Sequence, residues 1–173
     1  YKERGFDVIA ICRKASADLR ELGVRVEEGI DVSDPASIRK LPDRLKGVDI
    51  DILINNAGIM IKQSLGEIDD DAVEEMVRQY RTNSIGPLLV TQALLPNLHE
   101  GSKVGIVSSR VGSVADNGTG GSYGYRMSKA AVNMAGKSLA VDLDEKGIAV
   151  ALLHPGFVRT GMTDNQGYIE ADE

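Results

Sequence analysis

Short, almost unbroken apolar runs alternate along this chain with longer segments whose apolar residues recur every three or four positions. Residues 6–12 (FDVIAIC), 50–54 (IDILI), 104–107 (VGIV) and 148–153 (IAVALL) are of the first kind, rich in branched side chains and bounded by Gly, Pro or charge. Such runs predict strands covered on both faces and therefore parallel. Residues 24–30 predict a further strand ending at Asp31. Between the strands, residues 15–22 predict a short helix closed by Gly23, and Ser33-Asp34-Pro35 starts a second with a cap and a proline in its first turn, ended by Gly47. A long helical segment spans residues 70–98, interrupted around Asn83-Ser84-Ile85-Gly86-Pro87, where Pro87 has no amide to donate and a bend is expected. Residues 122–146 predict the last helix, preceded by a flexible loop at 117–124. Strand and helix in alternation define an α/β chain: a doubly wound parallel sheet, Rossmann-like, in a single domain over residues 1–173.

Size and charge narrow the function. The chain is long enough for one well-buried core and short for two. With 20 basic and 26 acidic residues it carries a net charge of -6, which gives no electrostatic reason to expect nucleic acid or an anionic membrane as partner. One cysteine, Cys12, rules out an intrachain disulfide and suits a reducing cytoplasm, and two histidines, His99 and His154, make a zinc site improbable.

The chemistry concentrates at Tyr125 and Lys129, which lie four apart and share one face if residues 122–146 are helical. A cation beside a phenol favours phenolate, so such a Tyr trades a proton nearer neutral pH than its ordinary value of about 10 allows. Ser109, arriving at a strand end, supplies a hydroxyl for the oxygen that gains or loses that proton. Together they suit the interconversion of an alcohol and a carbonyl, with the hydride carried by another group.

These residues, with others in the same order, resemble the short-chain dehydrogenase/reductase family, and the likeness covers almost the whole chain. The family's Asn-Asn-Ala-Gly stands as Asn55-Asn56-Ala57-Gly58, its Tyr-x-x-x-Lys as Tyr125 to Lys129, its Ser as Ser109, its helical Asn as Asn83, and its Pro-Gly-x-x-x-Thr as Pro155-Gly156-Phe157-Val158-Arg159-Thr160. The Ser-Ser-x-x-Gly run with its Gly-rich insertion is similar to the branch holding sniffer-type carbonyl reductases and C-factor-like proteins. The resemblance implies that Lys129 holds the ribose of a nicotinamide cofactor and lowers the pKa of Tyr125, Ser109 bonds the substrate oxygen, and Asn83 anchors a water in a proton relay. It implies cofactor contacts at Asp31 and Val32 (adenine), at Asn55, Ala57 and Gly58 (ribose), and at Pro155, Gly156, Val158 and Thr160 (carboxamide). Ser113 lies closer to the family's usual separation from the Tyr, but Ser109 is preferred because a strand end is rigid.

Cofactor choice turns on Arg13. Where the family usually places a carboxylate for the ribose hydroxyls, this chain has Cys12-Arg13-Lys14, two cations and no acid, which favours NADP over NAD. The family's first strand and Gly-rich phosphate turn are not among these 173 residues, nor is a last strand after Glu173. The expectation is therefore a fragment, or part of a longer protein, that binds cofactor poorly on its own because the diphosphate cradle is lacking. The missing strand would be central in the 3-2-1-4-5-6 order, leaving 6–12 and 50–54 without a shared neighbour.

The leading reading is an NADP-dependent oxidoreductase acting on a small carbonyl or alcohol. A non-catalytic binding or regulatory protein of the same fold is the alternative. A third reading takes Gly120-Gly121-Ser122-Tyr123-Gly124 as the G-x-S-x-G of an α/β-hydrolase, with Asp142 or Asp144 and His154 completing the order, although no apolar strand precedes Ser122. Homo-oligomers through the two long helices would use Met76, Leu89, Met134 and Leu139 as core or interface. Acidic residues after Thr160 (Asp164, Glu170, Asp172, Glu173) form part of the expected substrate lid.

Overall fold

The computed structural model describes residues 1–170, so Asp172 and Glu173 of the expected lid lie outside the described residues. Five strands alternate with helices as the apolar pattern predicts: β1 (Ile9–Ile11), α1 (Ala17–Glu21), β2 (Arg25–Glu27), α2 (Pro35–Ile38), α3 (Leu41–Arg44), β3 (Ile50–Asn55), α4 (Asp70–Tyr80), α5 (Gly86–Ala93), β4 (Leu98–Val107), α6 (Tyr123–Asp142) and β5 (Ala149–Leu153). All pairings are parallel, but they form two separate sheets, β1-β2 and β3-β4-β5. As expected, β1 and β3 share no neighbour. A groove of about 390 Å³ runs between them, lined by Phe6, Val8, Ile9, Ile11, Ile52 and Leu94 among others.

That separation explains where the strands differ from expectation. β1 is three residues rather than the seven of 6–12, and all three are half-buried, because one of its edges has no partner. β4 is longer than 104–107; it starts at Leu98, six residues early. The predicted helix of 33–47 is two short ones. Asp34 caps the first through the amide of Ala36, and the second begins at Leu41-Pro42, where the proline lacks an amide to continue the earlier ladder. The long segment of 70–98 is interrupted where Pro87 stands, but by a π turn, Arg81–Ile85, that runs α4 into α5.

One core unites the two sheets. Ile30, Ile38, Leu41 and Leu45 from the β2–α3 region pack with Leu53, Leu94, Val104, Ile106 and Val132. α6 lies on β5 at close range, because a methyl group at Gly136 would stand 2.7 Å from Leu152 Cδ2. This packing fixes α6, and with it Tyr125 and Lys129, against the carboxyl end of β4.

Candidate active site

Three elements build the site. β4 ends at Val107, and Ser108-Ser109 follow it; α6 brings Tyr125 and Lys129; the π turn brings Asn83. Lys129 is 4% exposed and donates from Nζ to the Val107 carbonyl at 2.9 Å, while the same nitrogen lies 5.6 Å from the Tyr125 ring centroid. The two thus meet as the helical spacing predicts, though the ammonium sits over the ring face.

The electrostatics correct one expectation. Burial pushes the Tyr125 phenol above its ordinary value, and the hydroxyl of Ser109 beside it pulls it part of the way down. The protein's own groups therefore keep the phenol protonated at neutral pH, opposite to the lowering expected from Lys129. Lys129 is itself drawn down to about 8 by burial, since its charge has left water and no carboxylate among the described residues pairs with it. Ser109, not Ser113, is the serine that reaches Tyr125. Ser113 instead accepts the amide of Asp116 in the loop.

The Asn83 side chain is engaged entirely with protein. Its oxygen accepts from the Ile59 amide at 2.8 Å, and its nitrogen donates to the Ile59 carbonyl at 2.8 Å and to Ser128 Oγ at 3.0 Å. This clamp holds the segment after Gly58 against α6. A methyl group on Gly58 would stand 3.4 Å from Asn83 Oδ1 and 3.8 Å from both Lys129 Nζ and Met162 Cε, so the bare backbone here keeps a surface open beside Lys129. A cavity of about 560 Å³ opens there, lined by Gly58, Ile59, Met60, Lys62, Arg78 and Met162.

The other predicted contact residues divide by location. The strand expected over 24–30 is only Arg25–Glu27, so Asp31 lies four residues past β2; its carboxyl is held below the usual carboxylate range, first by the Ser33 hydroxyl and amide and then by the charges of Arg13 and Arg78. One of its oxygens is thus taken by the start of the next turn. Val32 packs under Gly86, and Arg13 is exposed at the end of β1. Asn55 is buried, its amide donating to Thr91 Oγ1 at 3.2 Å, whereas Ala57 is exposed. Pro155, Gly156 and Val158 follow β5, and Thr160 caps a short turn over Gly161–Thr163. Asp164 of that loop pairs with Lys62 at 3.2 Å across the cavity mouth.

Several residues at the site were invisible to spacing and motif. Arg126 holds the Gly-rich insertion, donating to the carbonyls of Gly120 (3.2 Å) and Gly121 (3.1 Å) and to Thr119 Oγ1 (2.7 Å). Gln63 and Gln79 are buried against the start of α6 and the segment after Gly58. Gln63 and Gln79 act on partners distant in sequence, so no local pattern marks them, and Arg126 acts on the nearby loop only because that loop folds back on the start of α6. The hydrolase reading does not survive. Ser122 follows a left-handed turn rather than a strand, and Asp142 and Asp144 lie at the far end of the 20-residue helix, ~30 Å away.

A parallel α/β sheet whose strand ends carry a serine, and whose packed helix carries Tyr and Lys one turn apart, defines a dehydrogenase-type nucleotide-binding domain. Residues 1–170 match the family model for short chain dehydrogenases, and the chain belongs to that family. It is 47% identical over 163 residues to 1-hydroxy-2-glutathionyl-2-methyl-3-butene dehydrogenase of Rhodococcus sp. (strain AD45), covering 93% of this chain and 71% of that one. Among solved structures it is similar to a short-chain dehydrogenase/reductase from Burkholderia multivorans with bound NADP (TM-score 0.86, 33% identity, 99% of this chain and 77% of that one). It is also similar to an NADPH-bound carbonyl reductase from chicken fatty liver (TM-score 0.78, 32% identity, 95% and 72%).

Proposed function

We propose that this chain carries the catalytic centre of an NADP-dependent oxidoreductase that interconverts a carbonyl and an alcohol on a small molecule. The observation that carries the reading is the meeting of Tyr125 with Ser109 at the end of β4, with the buried Lys129 ammonium 5.6 Å from the ring. The residues fit a nicotinamide dinucleotide. The open surface at Gly58 adjoins Lys129 and Met162, and Arg13 and Asp31, whose charges interact, follow β1 and β2. Bound there, the nicotinamide would supply or accept the hydride.

The chain's own groups handle the proton and the orientation. Burial keeps Tyr125 a neutral phenol, so it begins as the acid that protonates a carbonyl oxygen as that oxygen gains negative charge. Ser109 holds the same oxygen in place. Lys129 supports the phenolate left behind and offers donors to ribose hydroxyls. Gly58 and Asn83 keep the backbone beneath from intruding. Arg13 with Lys14 supports the choice of NADP, because two cations at the end of β1 suit an added phosphate. The named substrate of the Rhodococcus relative, a glutathionyl alcohol, supports including thioether-bearing alcohols among the candidates.

Paired copies fit the surface. Val73, Val77 and Tyr80 on α4 and Met127, Met134 and Val141 on α6 are exposed at helical spacing, which supports a dimer through these helices. Of the four residues expected there, Met134 is exposed, whereas Leu89 and Leu139 pack against the core and Met76 abuts Gly124.

The test is Tyr125→Phe, assayed by NADPH absorbance against a panel of aldehydes, ketones and their alcohols in the protein expressed from its natural reading frame. Turnover should fall by at least about 10²-fold with the fold and NADPH binding retained. Unchanged turnover, or none in the parent protein toward any of the panel, would favour the binding-protein alternative.

A further inference from the structure

The catalytic helix starts in an unusual way. Gly120, Gly121 and Ser122 all have positive φ (64°, 66° and 47°), so the chain enters α6 through a left-handed turn. In that conformation the Ser122 side chain makes no capping hydrogen bond to the helix, leaving the first amides of α6 in need of partners from elsewhere. They find them in one residue 60 positions earlier. Gln63 accepts the Ser122 amide on its backbone carbonyl at 2.9 Å and the Gly124 amide on its side-chain oxygen at 3.0 Å. It is 6% exposed, and its side-chain nitrogen has no hydrogen-bond partner among the described residues. The oxygen alone is used.

Gln63 also belongs to the strip that borders the cavity. Residues 59–63 are gripped from α4 and the π turn by Asn83 at Ile59 and by Gln79 Oε1 at the Ile61 amide (2.9 Å). The strip is therefore fixed on one side to the helix carrying Asn83 and on the other, through Gln63, to the helix carrying Tyr125 and Lys129. Tyr125 follows Gly124 directly. Space around Gly124 is closed, since a methyl group there would stand 2.6 Å from Gln79 Nε2 and 2.8 Å from Met76 Cγ. The start of α6 is thus packed against α4 and bonded to a strip already locked in place.

We infer that Gln63 is a positioning residue for Tyr125, capping the catalytic helix from a distance through its side-chain oxygen and so setting where the phenol stands relative to Ser109. The inference rests on the proposed role of Tyr125. It also makes an asymmetric demand on chemistry. Because only the oxygen is engaged, Glu should replace Gln: whether its buried carboxyl stays neutral or is ionised at the helix N-terminus, it keeps an acceptor for the Gly124 amide. Met, of similar size but without the acceptor, should not.

The experiment compares Gln63→Met, Gln63→Glu and Tyr125→Phe in the protein expressed from its natural reading frame. The assay is reduction of a carbonyl that the parent turns over, followed across pH. Gln63→Met should lower kcat by about 10- to 100-fold and shift the pH at which kcat falls, with the KM for NADPH unchanged, since Arg13 and Asp31 lie elsewhere. Gln63→Glu should restore kcat to within about threefold of the parent and restore its pH profile. Unchanged kcat and pH profile in a folded Gln63→Met, or equal losses in folded Met and Glu variants, would overturn the inference and leave Gln63 as packing. If Gln63→Met does not fold by circular dichroism, Gln63→Glu still decides: a folded Glu variant with parental kcat and pH profile supports the role of the oxygen, and one with either altered overturns it. Turnover retained in Tyr125→Phe defeats the functional reading itself. Loss there with no effect in Gln63→Met defeats only the present inference.

Discussion

Lys129 should weaken the fold that it serves. Its ammonium is buried, bonded to one carbonyl and accompanied by no carboxylate, and its pKa is drawn from 10.5 down to about 8. At ~1.4 kcal/mol per pH unit, that difference is roughly 3 kcal/mol by which the charged form is less stable in the folded protein than in the unfolded chain. The sign follows from proton counting. Between pH 8 and 10.5 the unfolded chain holds the Lys129 proton and the folded protein has released it, so stability rises with pH across that window and the penalty is fully present below it. Replacing Lys129 with Met removes the charge and keeps most of the volume. Against this gain stands the Val107 carbonyl, left without its donor, at a cost of about 1 to 3 kcal/mol. The variant should therefore be between equal to and about 2 kcal/mol more stable than the parent at pH 7. By pH 10 the parent has recovered most of its penalty, so the difference should move toward the parent by about 2 to 3 kcal/mol. Urea unfolding of both proteins at pH 7 and pH 10 measures this. A difference between the two proteins that does not change with pH, or that moves toward the variant, would refute the reasoning. The same substitution should abolish turnover, as expected of a site whose preorganisation opposes stability.

Two further outcomes follow from local geometry. A methyl group at Gly112 would stand 2.7 Å from the Lys129 carbonyl carbon and 2.8 Å from its oxygen, so Gly112→Ala should push the loop after Ser109 off α6, lowering stability by about 1 to 3 kcal/mol and kcat with it; thermal melting and steady-state kinetics read the two together. Arg13→Ala should raise the KM for NADPH by about tenfold and leave that for NADH nearly unchanged if the exposed side chain has its proposed role toward the added phosphate; an equal change for both cofactors would remove Arg13 from that role.

How much was legible in the sequence varied with the range of the interaction that decides each feature. β3 and β5 were read to within one or two residues because their apolar runs are decided by local composition, and the start of α6 to within one because its pairs lie within one helical turn, whereas its end falls at Asp142 and not at 146. The pairing of Tyr125 with Lys129 was legible for the same reason. β1 was overestimated, since burial on both faces needs a neighbour that FDVIAIC cannot specify by itself. The direction of the Tyr125 shift was misjudged for a related cause. Spacing shows that a cation is near, but only packing shows the phenol's own loss of water, which outweighs the pull of the Ser109 hydroxyl. Gln63 and Gln79 could not be found at all, because each is defined by a backbone group brought close only by the finished fold.

The same geometry divides the molecule's tasks unequally. Tyr125, Lys129, Ser109, Asn83 and Gly58 sit on the three-stranded sheet and its helices, cross-linked by β4-to-β5 pairing, by the Asn83 clamp and by Lys129 itself. Arg13 and Asp31 sit on the two-stranded sheet, which no ladder of backbone hydrogen bonds joins to the other. What connects them is chiefly the apolar contact of Ile30, Ile38 and Leu41 with Leu53 and Leu94, with the Asn97 side chain ahead of β4 donating to the Leu45 and Val48 carbonyls at 2.7 Å each. Regular ladders of hydrogen bonds fix direction as well as distance, whereas apolar packing with a few side-chain bonds tolerates more sliding and repacking. Changes in the groove between β1 and β3 should therefore act first on how firmly the cofactor's adenine end is held, while the placement of the phenol, set by α4, α6 and the strip between them, is governed within its own half.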